Sequence, residues 1–228
     1  MKSHMLIVVV IALFLVACQA SPPPETSLVT PPDQTAAPTS TVTAPSTSIS
    51  PKLAKLIGKA DEKVTSYEFY YAPPPDNLAR DRYFVKGNKI HMIGYRVNTV
   101  KRDQYYDNLY FDLDKSEVRA FCQSVDFRCK EIGKEFNVDM EDVIIKLPYQ
   151  WVKEITGGDI SGSETLFDRL TSKVTYVKDG VTYTQWIDEH SGLPLRILIE
   201  KPGKKAEKYE FKDLAINGVT DDMLRTPQ

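Results

Sequence analysis

Lys173-Val174-Thr175-Tyr176-Val177-Lys178-Asp179-Gly180-Val181-Thr182-Tyr183-Thr184-Gln185-Trp186-Ile187 decides the fold. Two β-branched and aromatic runs flank Asp179-Gly180, the dipeptide that closes a tight hairpin. The second run carries apolar residues on both faces: Val181, Tyr183 and Ile187 on one side, Trp186 on the other. A strand covered on both sides reads this way, whereas a half-solvated one alternates strictly.

Working outward, the same grammar repeats. Leu195–Glu200 follows the turn Glu189–Gly192, and Lys208–Leu214 follows Pro202-Gly203-Lys204. Upstream stand Thr65–Tyr71, Arg82–Val85, Ile90–Tyr95, Tyr105–Asp112 and Val118–Cys122. Short links force antiparallel pairing, because parallel strands need long crossovers. A helix precedes them, with Leu53, Leu56, Ile57, Ala60 and Val64 at helical spacing, Ser50 as cap and Pro51 in the first turn. A second starts at Leu147-Pro148, places Trp151, Val152 and Ile155 on one side, and ends before Gly157-Gly158; Asp142–Lys146 is compatible with helix or strand. The expectation is an α+β fold: a curved antiparallel half-open β-barrel of about eight or nine strands, with two or more helices covering its mouth.

The N-terminal region is another material. Lys2 is followed by an apolar run, Met5–Val16, ending in Leu15-Val16-Ala17-Cys18. That run is too short for a bilayer-spanning helix, which needs roughly 20 residues, and its order is that of a secretory signal. Leu-x-Ala-Cys resembles the lipobox of prokaryotic lipoproteins. The resemblance implies cleavage before Cys18, a lipid thioether on it, and an extracytoplasmic domain anchored to the cell membrane (the outer membrane if the host has one, since Gln19 rather than Asp follows). Of the 31 residues from Ser21 to Pro51, 21 are Ser, Thr or Pro and none is aromatic. Such a stretch cannot bury enough apolar surface to offset its ordering entropy and reads as a tether. The expected organisation is signal 1–17, lipidated cysteine and tether 18–51, and a folded domain 52–228.

Charges are balanced, with a formal net charge of −2, which excludes nucleic acid as the main partner. With Cys18 consumed by lipid, Cys122 and Cys129 remain. Outside the cytoplasm this pair predicts a disulfide; Cys-x-x-Cys redox spacing is absent, and no further His or Cys stands near for a metal.

Read in order, Tyr183–Asp188, Gly192-Leu193-Pro194-Leu195-Arg196, Tyr209–Leu214, and Asn217–Leu224 with Pro227 resemble the LolA/LolB-like superfamily of lipoprotein-sorting proteins and related lipoproteins. The N-terminal helix, the strand at Ser66-Tyr67 and the Pro148–Trp151 helix start fit as well. The resemblance implies a half-open barrel whose apolar concavity holds acyl chains, with a lid-locking arginine for which Arg80, Arg82 and Arg96 are candidates. Independently of the name, a curved, incompletely covered sheet with apolar residues on both faces takes an alkyl chain at roughly 0.8 kcal/mol per buried methylene. The candidate wall is Tyr176, Tyr183, Trp186, Leu195, Ile197, Tyr209 and Phe211, with Trp151 from the helix; Tyr and Trp keep a polar tip for an ester or amide.

Catalytic chemistry is not legible. Gly158-Asp159-Ile160-Ser161-Gly162 has the wrong spacing for a nucleophile elbow and reads as a loop. His190 beside Asp188 reads as a solvated turn, and Asp112-x-Asp114-x-x-Glu117 as a charged hairpin turn without the glycine of a calcium loop. No catalytic residue, metal or cofactor is expected. The expected function is non-enzymatic binding of a lipid or of a lipoprotein acyl chain by a monomer. The alternative is a structural or signalling lipoprotein that binds a protein partner through a sheet edge or loops and has no lipid cargo.

Overall fold

The computed structural model describes residues 48–101 and 104–227. The lipobox with Cys18 and most of the tether lie outside the described residues.

Helix α1 (Pro51–Lys63) begins as its sequence dictates: the Ser50 side chain accepts the Leu53 N–H at 3.2 Å, and Pro51 occupies the first turn. Then come β1 (Ser66–Ala72), β2 (Asp81–Lys86), β3 (Lys89–Lys101), β4 (Gln104–Asp112), β5 (Glu117–Phe121) and β6 (Glu135–Asn137). Two short helices follow, α2 (Met140–Val143) and α3 (Pro148–Lys153). β7 (Ile160–Leu166), β8 (Arg169–Lys178), β9 (Val181–Asp188), β10 (Pro194–Glu200) and β11 (Glu207–Ile216) complete the set, with a 3-10 turn at Asp222–Leu224.

All strands form one antiparallel sheet in the order β6-β5-β4-β3-β2-β1-β11-β10-β9-β8-β7. Two meanders are joined where β1 pairs β11, so the first and last strands meet at its centre. Among the described residues the sheet has eleven strands rather than eight or nine, and it is open: β6 and β7 are its edges and do not pair with each other. The extra strands are these two edges. β6 has only three residues. β7 reads Ile-Ser-Gly-Ser-Glu-Thr-Leu and is mostly exposed, so it lacks the apolar alternation that marks a strand. Residues 160–162 of the expected loop therefore belong to a strand; they pair with β8 as far as Gly162↔Lys173.

The Asp179-Gly180 hairpin forms as read. Both residues have positive φ, 53° and 73°, the conformation a two-residue turn needs to match strand twist. Gly192, at φ 73°, brings the β9–β10 turn against α1; a Cβ there would stand 2.7 Å from the Leu56 carbonyl oxygen.

The helices cover one face, called here the inner face. It carries Tyr67, Phe69, Tyr83, Val85, Met92, Leu109, Phe111, Leu195, Ile197 and Phe211 in one buried cluster with Trp151. Phe69 lies 5.3 Å from both Tyr83, in parallel, and Phe211, edge-on. Leu53 and Leu56 of α1 pack with Ile155 on Val174, Tyr176 and Ile187. The outer face has a smaller aromatic set. His91 stacks on Tyr110 at 4.1 Å and on Phe84 at 5.7 Å, and its Nδ1 lies 2.7 Å from the Met223 carbonyl. The closing segment thus lies on this side.

Candidate functional site

Of the eight expected wall residues, Trp151 is on α3; of the seven on the sheet, six face the helices and one does not. Register fixes this: Ile197 pairs Tyr209 and Gln185, Tyr183 pairs Tyr176, and Trp186 pairs Arg196 and Lys173. Since side chains alternate along a strand, Trp186 lies on the outer face. There Arg196 stands 5.5 Å and Lys173 5.4 Å from its ring, and its Nε1 has no hydrogen-bond partner among the described residues. Leu195, Ile197 and Phe211 are 0–1% exposed and belong to the packed core.

The remaining four form a distinct aromatic group where β9 and β11 begin and β8 ends. Trp151 of α3 sits 6.4 Å from Tyr183 and 6.0 Å from Tyr209, and Tyr183 stacks on Tyr176 at 5.3 Å. Trp151 and Tyr176 are buried, Tyr183 and Tyr209 half-buried. The cover is thin: α3 is six residues long, far below the length at which a helix holds itself. It is placed by Pro148 at its start, by the Leu147 N–H bound to Gln150 Oε1 at 2.8 Å, and by burial of Trp151 and Val152. From the sheet, Gln185 Nε2 donates to the Trp151 carbonyl at 3.0 Å and to the Tyr176 hydroxyl at 2.9 Å.

Polar groups ring these aromatics. Lys146 Nζ lies 3.6 Å from the centre of the Trp151 ring and pairs with Glu154. The Tyr209 hydroxyl donates to Glu207 at 3.1 Å. Gln185 is fully buried, and its Oε1 has no partner among the described residues. Burial pushes the Tyr176 hydroxyl up to about 12, against the Gln185 hydrogen bond, which lowers it. Burial likewise raises Tyr71, beside Phe211, and Tyr209. These phenols stay neutral at physiological pH and act as hydrogen-bond tips on an apolar wall. Gln185 and Lys146 were not singled out from sequence; a lone glutamine at an inward position of a buried strand was the available signal.

Cys122 and Cys129 are joined in a disulfide, as expected. Asp107 lies within 4.8 Å of both sulfurs, a set of ligand types that could hold a metal. Its oxygens are committed: Oδ1 accepts the Gln123 N–H and Asn108 Nδ2 at 2.8 Å each, and Oδ2 the Ser124 N–H at 2.7 Å. With the sulfurs bonded to each other, the group is a loop clamp rather than a metal centre.

The other motifs are structural. Asp188 accepts from Arg169, from the Ser191 N–H and from the Ser191 hydroxyl, while His190 is exposed. Asp114 accepts Asn88 Nδ2 at 2.7 Å in the charged turn. Of the arginines, Arg82 pairs Glu68 at 2.9 Å and lies over Phe84, Arg80 pairs Asp76 at 3.3 Å, and Arg96 is exposed. None of them bonds α3.

No family model matches the chain, and no curated protein matches it. Solved structures do. LprF from Mycobacterium bovis is 12% identical, with 79% of this chain and 98% of that one covered at a TM-score of 0.47. The LolA superfamily protein NE2245 from Nitrosomonas europaea is 13% identical, with 76% and 97% covered at 0.32. MucB in the complex of Pseudomonas aeruginosa MucA/MucB is 13% identical, with 77% and 60% covered at 0.37. The resemblance to the LolA/LolB-like superfamily is thus met again among solved structures; at such identities the likeness is one of fold alone.

Proposed function

We propose that this chain is a membrane-anchored extracytoplasmic lipoprotein whose domain binds a lipid, or the acyl chain of a lipoprotein, without breaking a bond. The observation that supports this reading is the Trp151–Tyr183–Tyr209 group: an aromatic wall with hydroxyl and ammonium tips, closed by a helix too short to hold itself. In this reading α3 is a lid. Lifting it uncovers Tyr183, Tyr209 and Tyr176 next to the core residues Ile197 and Phe211. An alkyl chain then inserts between the Trp151 ring and these apolar side chains, a carbonyl oxygen of the ester or amide accepts from Tyr209 or Lys146, and an amide N–H donates to Gln185 Oε1, a buried acceptor without a donor among the described residues. Burial of methylenes drives binding; orientation comes from the few polar groups at the rim.

The test is titration of a fluorescent fatty acid against the exported chain. Saturable binding is expected, weakened at least about tenfold by Lys146→Met, which removes a charged donor to the carboxylate worth about 1.5–3 kcal/mol, and unchanged by Trp186→Phe. Absence of saturable binding overturns the proposal.

A further inference from the structure

The most exposed apolar side chains among the described residues share one place. Val125 is 98% and Phe127 89% exposed, both in the loop closed by the Cys122–Cys129 disulfide. Ile132 follows in the same β5–β6 connection at 63%, and Tyr95 of the irregular part of β3 is 74% exposed. The antiparallel order puts Val125, Phe127 and Ile132 between the close of β5 and the start of β6, while Tyr95 lies within β3 toward the same end, its N–H bonded to Asp81 where β2 begins.

This loop is built, not frayed. The disulfide ties its base, Asp107 fixes the Gln123 and Ser124 N–H groups, and Arg128 binds Asp126 at 2.8 Å and the Val97 carbonyl at 3.0 Å. Holding a valine and a phenylalanine in water on a rigid frame is unfavourable unless something receives them.

The chain itself indicates what does. Ser48–Ser50 enters the domain beside Gly158: the Ser50 N–H bonds the Gly158 carbonyl at 3.1 Å, and the Gly158 N–H bonds the Ser48 carbonyl at 3.2 Å. Gly158 sits at the level of Thr175 and Tyr176, toward the closing end of β8. In the antiparallel order that end is the one where β3 and β5 close. Ser48, the first described residue, therefore lies toward the same end of the sheet as Val125 and Phe127, with β8 tenth and β5 second in the strand order.

We propose that the disulfide-clamped loop is a bilayer-contact element: Val125 and Phe127 enter the headgroup–acyl boundary, and the domain stands with this end on the membrane. This goes beyond acyl-chain binding and does not depend on it, but it rests on the membrane-anchored reading of the N-terminal region. Arg96, exposed on the same end with no carboxylate partner among the described residues, stands where lipid phosphates would lie. Interfacial insertion of this kind combines buried apolar area with attraction to anionic lipids.

The test uses the exported chain from residue 18 carrying Cys18→Ser, so that no covalent lipid contributes, with vesicles of phosphatidylethanolamine and phosphatidylglycerol. Expected is co-sedimentation of this chain, weakened at least about tenfold by Val125→Asp or Phe127→Asp, since each places a charge at the boundary. Both positions are solvent-exposed, so the thermal unfolding midpoints stay unchanged; the milder Phe127→Ser serves if an aspartate variant fails to fold. A chain that ignores the vesicles, as a loop made for a protein partner would, overturns the proposal. So does equal partition of all variants. Fatty-acid titration of the same samples reads the lid separately.

Discussion

Replacing Trp151 by alanine separates a lid from a core helix. Trp151 is 6% exposed. An aromatic of this size buries roughly 200 Å², which at about 25 cal/mol per Å² corresponds to about 5 kcal/mol as an upper value; measured Trp-to-Ala losses run about 3–5 kcal/mol. The Gln185 bond is to the Trp151 backbone carbonyl and survives. Taking about 3 kcal/mol, the docked state of α3 is disfavoured roughly 150-fold, at 1.4 kcal/mol per tenfold. Because a six-residue helix has no stability of its own, that loss falls on α3. Hydrogen exchange reads it amide by amide. The Trp151, Glu154 and Ile155 N–H groups, which bond the Leu147, Trp151 and Val152 carbonyls, exchange about 100-fold faster in the variant. Amides of the central β1–β11 pair keep their protection. If those central amides lose protection in parallel, α3 unfolds only with the whole domain, and the lid reasoning is refuted.

Four further outcomes follow from the geometry. Gly192→Ala forces a Cβ to 2.7 Å from the Leu56 carbonyl and 2.9 Å from the Ala60 nitrogen at φ 73°; a loss of at least about 2 kcal/mol in urea unfolding is expected. Glu210, 3% exposed, is shared by Arg196, Lys208 and Lys212; Glu210→Ala leaves these cations facing one another and costs about 3 kcal/mol in the same assay. For Asp107, burial alone would raise the carboxyl, but hydrogen bonds from Ser124, Gln123 and Asn108 outweigh it and hold it below the ordinary value. A depressed carboxyl stabilises the fold above its unfolded pKa near 3.9 and stops doing so as pH falls through the folded value; Asp107→Asn therefore flattens the stability–pH curve below about pH 4. Replacing both Cys122 and Cys129 by serine releases an eight-residue loop and costs about 2.5 kcal/mol on the chain-entropy model.

How much of this was legible in the sequence varies by element. Nine strands announced themselves through β-branched and aromatic runs between turn residues, and α1 through its apolar spacing and the Ser50-Pro51 start. β7 was hidden because an exposed edge strand has no face to bury and so no hydrophobic period; β6 was too short to have one. The disulfide followed from counting. Six of the seven wall residues on the sheet face the helices because inward positions of a two-sided strand are apolar by necessity. That same necessity blurred wall and core: nothing in the chain separates Phe211, sealed in the centre, from Tyr209, half-open at the end. Trp186 was misplaced because an aromatic under Arg196 and Lys173 resembles, in one dimension, an aromatic in a cavity. The exposed pair Val125 and Phe127 carried no signal, since isolated apolar residues in a loop look like any other.

The two tryptophans on opposite faces allow the most direct test of acyl binding under α3. Trp186→Phe leaves Trp151 as reporter, and Trp151→Phe leaves Trp186; each chain is titrated with a brominated fatty acid, which quenches indole emission on contact. The account predicts saturable quenching of Trp151 and none of Trp186. Quenching of neither, or of both alike, would contradict it.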